Sequence, residues 1–326
     1  ELGRATVSEI AAALISEGLV VEVGRGISTG GKPPTLVELD PDGRFVVAVD
    51  LSIRPIGAAL LNLRGRIVSS VQGKTVAPQG RDAFEEVHRL VADLIGDANA
   101  PALGIGLGVP GAVDDDGGVI ESEHLGWSAL PLRDQLEDVY GVPTYVAADA
   151  EVAAIAEFGR SAPSPNSSML YLKVDDRVAV GVVAAGRLHQ TGDRGGDLTH
   201  LHVADTQRLC RCGRTGCLGS LVSVAEILGS GALGISTEAR RRMAADATPD
   251  FGEAARILGT AVAPIVASLD IDVVVVGGQF AEWGGVADAV SSGMRDALRW
   301  SPSVVESRLG QSAVVLGAAG QVLSGE

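Results

Sequence analysis

The sequence predicts an α/β protein of two lobes preceded by a partial winged helix-turn-helix. Three observations carry this. Residues 1–44 hold one amphipathic helix and two strand-like runs around a loop rich in Gly and Pro. From Phe45 onward, apolar runs of strand length alternate with helical patterns. The run Ala162-Pro163-Ser164-Pro165 interrupts that alternation and reads as a hinge. The expected boundaries are 1–42 for the winged unit, 43–160 with 300–326 for the first lobe, and 161–299 for the second.

In the winged unit, Val7, Ile10 and Leu14 fall at i, i+3 and i+7, one apolar stripe of a helix running to about Glu17. Gly18 stops it just past the C-terminus. Residues 19–23 and 35–39 read as strands flanking the loop 24–34. One helix and one hairpin cannot make a stable core, so the segment reads as the later part of a domain that begins upstream. The first lobe opens with three antiparallel strands, 45–51, 55–61 and 65–72. A helix over 81–97, a buried strand over 102–108 and a turn at Val109-Pro110-Gly111 follow. Helices over 131–140 and 149–160 flank a short strand over 144–148. In the second lobe, 168–174 and 178–184 read as strands, and 186–220 as an irregular, Gly-rich stretch. Helices are expected over 223–229, 235–245, 251–269 and 286–299, with a very apolar strand over 272–276 ending in Gly277-Gly278. Residues 312–323 read as a strand and a short helix returning to the first lobe. No internal sequence repeat is visible.

With 326 residues, 46% of them apolar, the chain can fill two or three cores. Aromatics make up 3%, so the cores must be aliphatic. No apolar run reaches the roughly 18 residues that span a bilayer, and no secretory signal opens the chain. These features read as a soluble cytoplasmic protein without a membrane partner. The net charge of −15 argues against nucleic acid as a partner of the whole surface, though not against a small basic site on an acidic body.

All three cysteines lie between 210 and 217, in Cys210-Arg211-Cys212-Gly213-Arg214-Thr215-Gly216-Cys217. An odd, clustered set argues against a disulfide framework and for metal or redox chemistry. With His200 they make a tetrahedral N/S donor set for one zinc ion. Four protein ligands leave no open position for water, so the expected role is structural. Gly213 and Gly216 let the backbone fold round the ion, and Arg211 and Arg214 favour the thiolates. His202 is the rival fourth ligand, on the opposite face by strand alternation. The plain alternative is three buried free thiols.

The same residues carry a resemblance. Gly196-Asp197-Leu198-Thr199-His200 followed by the cysteine run and Leu218 resembles the signature of the ROK family of bacterial repressors and sugar kinases, G-E-x-G-H then C-x-C-G-x-x-G-C-L-E. Gly108-Val109-Pro110-Gly111, Leu125-Gly126-Trp127, Asp149-Ala150, Gly277-Gly278 and Leu316-Gly317-Ala318-Ala319 agree with it. The opening Leu2-Gly3-Arg4-Ala5-Thr6-Val7-Ser8 is similar to the recognition helix of the family's regulators, and Gly31-Lys32-Pro33 to their wing. The resemblance, to a regulator branch similar to xylose and N-acetylglucosamine repressors, implies an actin-like (ribonuclease H-like) two-lobed sugar-kinase fold. It also implies a sugar cleft between lobes, a zinc loop beside it, and a homodimer or homotetramer.

The kinase branch needs Gly-rich turns that cradle ATP phosphates. Here the first turn reads Asp50-Leu51-Ser52-Ile53-Arg54-Pro55, and the second Asp175-Asp176-Arg177. Two carboxylates there would repel phosphate, so ATP binding reads as lost and the chain as a regulator, an ATP-dependent sugar kinase being the alternative. Asp149 matches the family's catalytic base and is expected as a vestige, a helix N-cap or an effector contact. Asp149, Asp197 and His200 are the expected effector-binding residues. The family's neighbouring polar positions are Ala148, Glu151 and Gly219, so the usual hexose is in question. A different sugar or sugar-like metabolite is expected as effector, or none. For a double-stranded DNA operator, Arg4 is the expected reader of guanine in the major groove, and Thr6 and Ser8 are expected to meet bases or phosphates. Arg25 and Lys32 are the expected phosphate or minor-groove contacts.

Overall fold

A computed structural model describes residues 3–27, 33–192, 196–229, 232, 234–247 and 251–325. Helix α1 (Arg4–Ser16) leads into the antiparallel pair β1 (Val20–Arg25) and β2 (Thr35–Leu39). Gly18 takes φ +73° at the helix end, as the stop signal requires. The apolar stripe is present but half open: Val7 and Ile10 are exposed and Leu14 is partly covered. Leu2 and the wing residues 28–32, Lys32 among them, lie outside the described residues. The unit is tied to the first lobe through its neck. Arg44 Nε donates to Glu17 O at 2.7 Å, and Asn62 Nδ2 to Asp42 Oδ1 at 2.9 Å.

The first lobe is built on β3 (Phe45–Asp50), β4 (Gly57–Asn62), β5 (Ile67–Gln72), β6 (Ala102–Val109) and β10 (Thr144–Ala148), in spatial order β10-β6-β3-β4-β5. Helices α2 (Gly80–Asp97) and α3 (Leu132–Tyr140) belong to this lobe. A small sheet of β7 (Ala112–Val113), β8 (Val119–Ser122) and β9 (Trp127–Leu130) rises beside the cleft. The second lobe has β11 (Met169–Val174), β12 (Val178–Ala184), β13 (Arg187–His189), β14 (Val273–Gly277) and β15 (Ser303–Glu306), in order β13-β12-β11-β14-β15. In each sheet the first three strands are antiparallel and the last two join in parallel. The two lobes therefore share one topology, a duplication that no sequence repeat announces. The remaining helices of the second lobe are α5 (Gly219–Val222), α6 (Val224–Leu228), α7 (Thr237–Ala247), α8 (Phe251–Ser268) and α9 (Val286–Leu298).

Two helices fill the space between the sheets. Helix α4 (Asp149–Ser161) lays Val152, Ala153 and Ala154 on Met169, Tyr171 and Val183 of the second sheet. Helix α10 (Ala313–Ser324) lays Val315, Ala318, Ala319 and Val322 on Val46, Ala48, Ala59 and Leu61 of the first. The two cross at Gly317, where any Cβ would overlap the Val152 carbonyl, and Gly106 is likewise pressed on Ala318. Small residues are thus what lets the lobes approach. Two expectations change here. The C-terminal segment contains no strand after Ser312: residues 313–324 form one helix, because the Ala/Val-rich run is buried on both sides. The strand lies earlier, at β15, and pairs with β14 in the second sheet, so the segment that covers the first sheet is α10 alone. Strand β13, inside the stretch read as irregular, is a three-residue edge too short to show a period.

Candidate functional site

The sequence of the 196–220 loop folds into a compact four-donor cage. Cys210 N donates to Arg214 O at 2.7 Å, closing a tight turn whose Gly213 sits at φ +82°. Gly216 takes φ +73°, and a Cβ there would strike the Ala204 carbonyl and the His202 ring. The donor atoms of His200, Cys210, Cys212 and Cys217 all lie within 4.8 Å of one another. Cys212 Sγ is 3.6 Å from Cys217 Sγ, and Cys210 Sγ is 3.4 Å from His200 Nδ1. A tetrahedron with Zn–S bonds of about 2.3 Å and a Zn–N bond of about 2.1 Å has edges of about 3.8 and 3.6 Å. The residues therefore fit such an ion. The other ring nitrogen of His200 faces Glu123 of the first lobe, Nε2 to Oε2 3.8 Å. Bonds from the Arg214 backbone and side chain pull the Cys212 thiol down to about 6, and burial pushes Cys217 up to about 11. His202 stays outside the cage, exposed and 4.0 Å from Asp205. Arg211, expected beside the thiolates, turns away and donates from Nη2 to Asp176 O at 3.0 Å.

That contact leads into the interlobe cleft, where the strand ends bring together charges far apart in sequence. Lys173, at the end of β11, is 6% exposed and pairs with Asp149 Oδ2 at 3.2 Å and with Asp175. Burial opposes its charge, but Asp175, Asp149 and Asp50 together raise its pKa. Asp175 Oδ1 accepts from Gln279 N at 2.6 Å, beside the Gly277-Gly278 turn. Burial resists ionisation of Asp175, and Lys173 overcomes this, holding the carboxyl below its usual range. Asp176 is clasped by Arg240 Nη2, 2.7 and 2.8 Å from its two oxygens, and approached by Arg54 Nε at 3.6 Å. Arg54 also meets His124 Nδ1 at 3.2 Å. Burial, then the charges of Arg54, Arg177, Lys173 and Arg240, lower the His124 pKa well below the usual range, so its ring is neutral.

Asp149 opens α4 as its first residue. The cap position belongs to Ala148, and no side-chain cap bond forms, which removes the N-cap role considered for Asp149. Its carboxylate, 2% exposed, faces the cleft between Lys173 and Arg177 instead. Asp197 lies across from it: Oδ1 accepts from Thr199 N at 2.7 Å, and Oδ2 from Arg177 Nε at 3.1 Å. Arg177 thus bridges two of the expected effector residues, and His200 lines the same cleft of about 350 Å3. Glu151 points elsewhere, accepting from Thr191 N and Oγ1 at 2.6 and 2.7 Å. At Gly219 a Cβ would lie 2.5 Å from the Thr199 methyl, so a larger residue there would require Thr199 to shift. Sequence reasoning missed Lys173, Arg177, Arg54 and Arg240 as cleft residues. The one available signal was Lys173, a lone charge within an apolar strand.

At the N-terminal end, Thr6 and Ser8 are exposed on α1, Arg4 is its first residue, and Arg25 is exposed at the end of β1. Among the described residues no helix is long and apolar enough to cross a membrane.

The profile of the ROK family matches residues 46–324. This chain belongs to the ROK family. It is 30% identical over 238 residues to the xylose repressor of Caldicellulosiruptor bescii, across 70% of this chain and 59% of that protein. It is also 28% identical over 278 residues to the glucokinase of Halalkalibacterium halodurans, across 74% of this chain and 82% of that one. The chain spans about three-fifths of the length of the xylose repressors it matches. In fold it is similar to the crystal structure of a ROK family transcriptional regulator, a homologue of the E. coli MLC protein. The TM-score is 0.75 at 21% identity, over 99% of this chain and 89% of that one. The lobes are accordingly those of the actin-like ROK fold, and the family has both repressors and kinases among this chain's relatives.

Asp50 offers a test of the cleft's electrostatics. It is 1% exposed and bonded by Ser52 N at 2.8 Å and Ser52 Oγ at 2.5 Å. Burial raises its pKa from 3.8 to about 6, against the opposing pull of Lys173 and Ser52. An acid whose folded pKa is raised holds a proton that the unfolded chain has released, so its ionisation opposes folding. Stability should fall as pH rises from about 4 to 6, by up to about 3 kcal/mol for a two-unit shift. Asp50→Asn keeps an acceptor for Ser52 and should abolish that fall. Urea melts of both proteins from pH 4 to 7.5 measure it, and parallel curves would refute the account.

Proposed function

We propose that this chain carries the effector-responsive body and an N-terminal DNA-reading unit of a cytoplasmic, dimeric transcription repressor that has no sugar kinase activity. The observation that carries this reading is the filling of the phosphate positions. The carboxylate of Asp175 takes the Gln279 N–H beside the Gly277-Gly278 turn, and Asp176 takes Arg240 and Arg54. The void beside them, lined by Asp50, Lys173, Asp175 and Asp176, is small, about 30 Å3. Asp149, whose counterpart removes a proton in the kinases, is held by Lys173 and Arg177. A coupled ADP-release assay with glucose, N-acetylglucosamine and N-acetylmannosamine should find no sugar-dependent turnover. A rate of about 1 per second or more, abolished by Asp149→Asn, would restore the kinase reading.

In the same reading, His200, Cys210, Cys212 and Cys217 hold one zinc ion. Its chemistry there is structural, cross-linking the loop that forms one wall of the cleft. Protein purified without added metal should contain about one zinc per chain. Cys212→Ser should lower both zinc content and the melting temperature. Zinc far below one per chain, with an unchanged melt in the variant, would remove this part of the reading.

For DNA, Arg4, Thr6 and Ser8 are the proposed base readers and Arg25 and Lys32 the phosphate contacts. Two-fold symmetry in a dimer implies a pseudo-palindromic operator. Arg4→Ala should weaken operator binding by roughly 1–3 kcal/mol and relax preference at one base pair per half-site. Lys32→Ala should weaken all sequences alike and flatten the salt dependence. Titrations at several salt concentrations with operator and scrambled duplexes measure both. Unchanged affinity in both variants would mean that this segment is not the reader.

A further inference from the structure

The three cysteines of the loop differ in access. Cys212 is exposed, whereas Cys210 and Cys217 are only 6% and 1% exposed. They differ also in how firmly the backbone holds them. Cys217 lies in a well-bonded stretch: Val203 N donates to Gly216 O at 2.9 Å, Leu218 N to Leu201 O at 2.8 Å, and Ser220 Oγ to Cys217 O at 2.7 Å. Cys212 lies at the tip of a turn whose neck is closed by Cys210 N to Arg214 O at 2.7 Å and Gly213 N to Cys210 O at 2.9 Å. Beside it, a Cβ built at Gly213 would meet nothing within 4 Å. The tip therefore has open space in which to shift, and its sulfur already lies 3.6 Å from that of the fixed Cys217. Cys210 Sγ, buried, has His200 Nδ1 beside it at 3.4 Å.

A solvent-accessible thiolate with a second cysteine beside it is the arrangement that peroxides oxidise reversibly. We propose that Cys212 is the peroxide-reactive residue of this loop and Cys217 its resolving partner, so that oxidation closes a disulfide between them. In the first step the Cys212 thiolate attacks one oxygen of hydrogen peroxide, the O–O bond breaks, hydroxide leaves and a sulfenic acid forms. In the second the Cys217 thiolate attacks the Cys212 sulfur, the S–O bond breaks and a second hydroxide leaves. Two thiolates and one peroxide thus give one disulfide and two hydroxides, which two protons convert to water. The two sulfurs together lose the two electrons that the peroxide gains. Sulfurs 3.6 Å apart must close to about 2.05 Å, and the free tip of the turn supplies that movement. A disulfide there removes two of the four donors, and His200 with Cys210 are too few to hold a structural ion. The release of metal rests on the zinc reading; the bridge does not. Loss of the cross-link also reaches the cleft, because Arg211, between two of the cysteines, donates to Asp176 O at 3.0 Å.

Titration of this chain, purified without added metal, with hydrogen peroxide tests it. Zinc is measured beforehand and its release followed with a chromophoric chelator. Free thiols are trapped with iodoacetamide in denaturant, and bridged peptides are identified by mass spectrometry without reduction. Two of the three thiols should disappear, the bridge should join Cys212 to Cys217, and Cys210 should still be alkylated. Bound zinc should leave in step with the bridge, and dithiothreitol should reverse the bridge. Cys212→His, which keeps a fourth donor but no thiol at the tip, should release zinc about 10-fold more slowly. Cys210→His should behave as the wild type does. A bridge through Cys210, loss of thiols without any bridge, or zinc release from Cys212→His as fast as from the wild type would each overturn the proposal. Should either variant fail to fold, the bridge map of the wild type carries the test. Protein that holds no zinc at the outset would overturn the metal reading alone, since the bridge is mapped in the same way without it.

Discussion

The cleft depends on charge compensation by one buried lysine. The ends of β3 and β11 and the start of α4 deliver Asp50, Asp175 and Asp149 to one poorly solvated region. Carboxylates so placed cannot all stay ionised unless a cation is buried with them. Lys173 supplies that charge on a strand whose other residues are almost wholly apolar, and Arg177, Arg240 and Arg54 extend it outward. A cation built into the backbone needs no ligand to be present. The pairs between Arg54 and Asp176 and between Arg177 and Asp149 join residues far apart in sequence across the cleft.

The scaffold makes this possible through close packing rather than through a large interface. Gly317 and Gly106 let α10 press on α4 and on β6, and Ala153, Ala154, Ala318 and Ala319 keep both interlobe helices thin. Tight apolar contact excludes water from the floor of the cleft, which strengthens every charge pair above it. The zinc-type cage stands at one wall of the same cleft. Its His200 faces the first lobe through Glu123, and Arg211 reaches Asp176 from within the cysteine run. Order in the loop and the position of cleft side chains are therefore mechanically connected.

The ROK family members similar to this chain include repressors and a glucokinase, and the fold they share is the frame on which this chain sets its own strand-end residues. The sheets, the crossing helices and the cysteine loop are retained. The turns after β3 and β11 carry charged side chains that pair across the cleft.

Local pattern determined a good deal. Strand and helix positions followed from apolar period, Gly18 marked the helix end, and the spacing of three cysteines with His200 named the donor set, because these signals act within a few residues. The tertiary structure decided the rest. Nothing in the sequence shows that the two lobes share a topology, since hydrogen-bond order between strands leaves no period. The C-terminal Ala/Val run was ambiguous between strand and helix until its neighbours on both sides were known. Asp149 read equally as a helix cap; its partners Lys173 and Arg177 lie more than twenty residues away and meet it only across the cleft. Arg211 looked like a companion of the thiolates by adjacency, yet its long side chain reaches a different wall. Adjacency in sequence fixes where a backbone goes; where a long charged side chain ends is settled by which opposite charges the fold has buried within its reach.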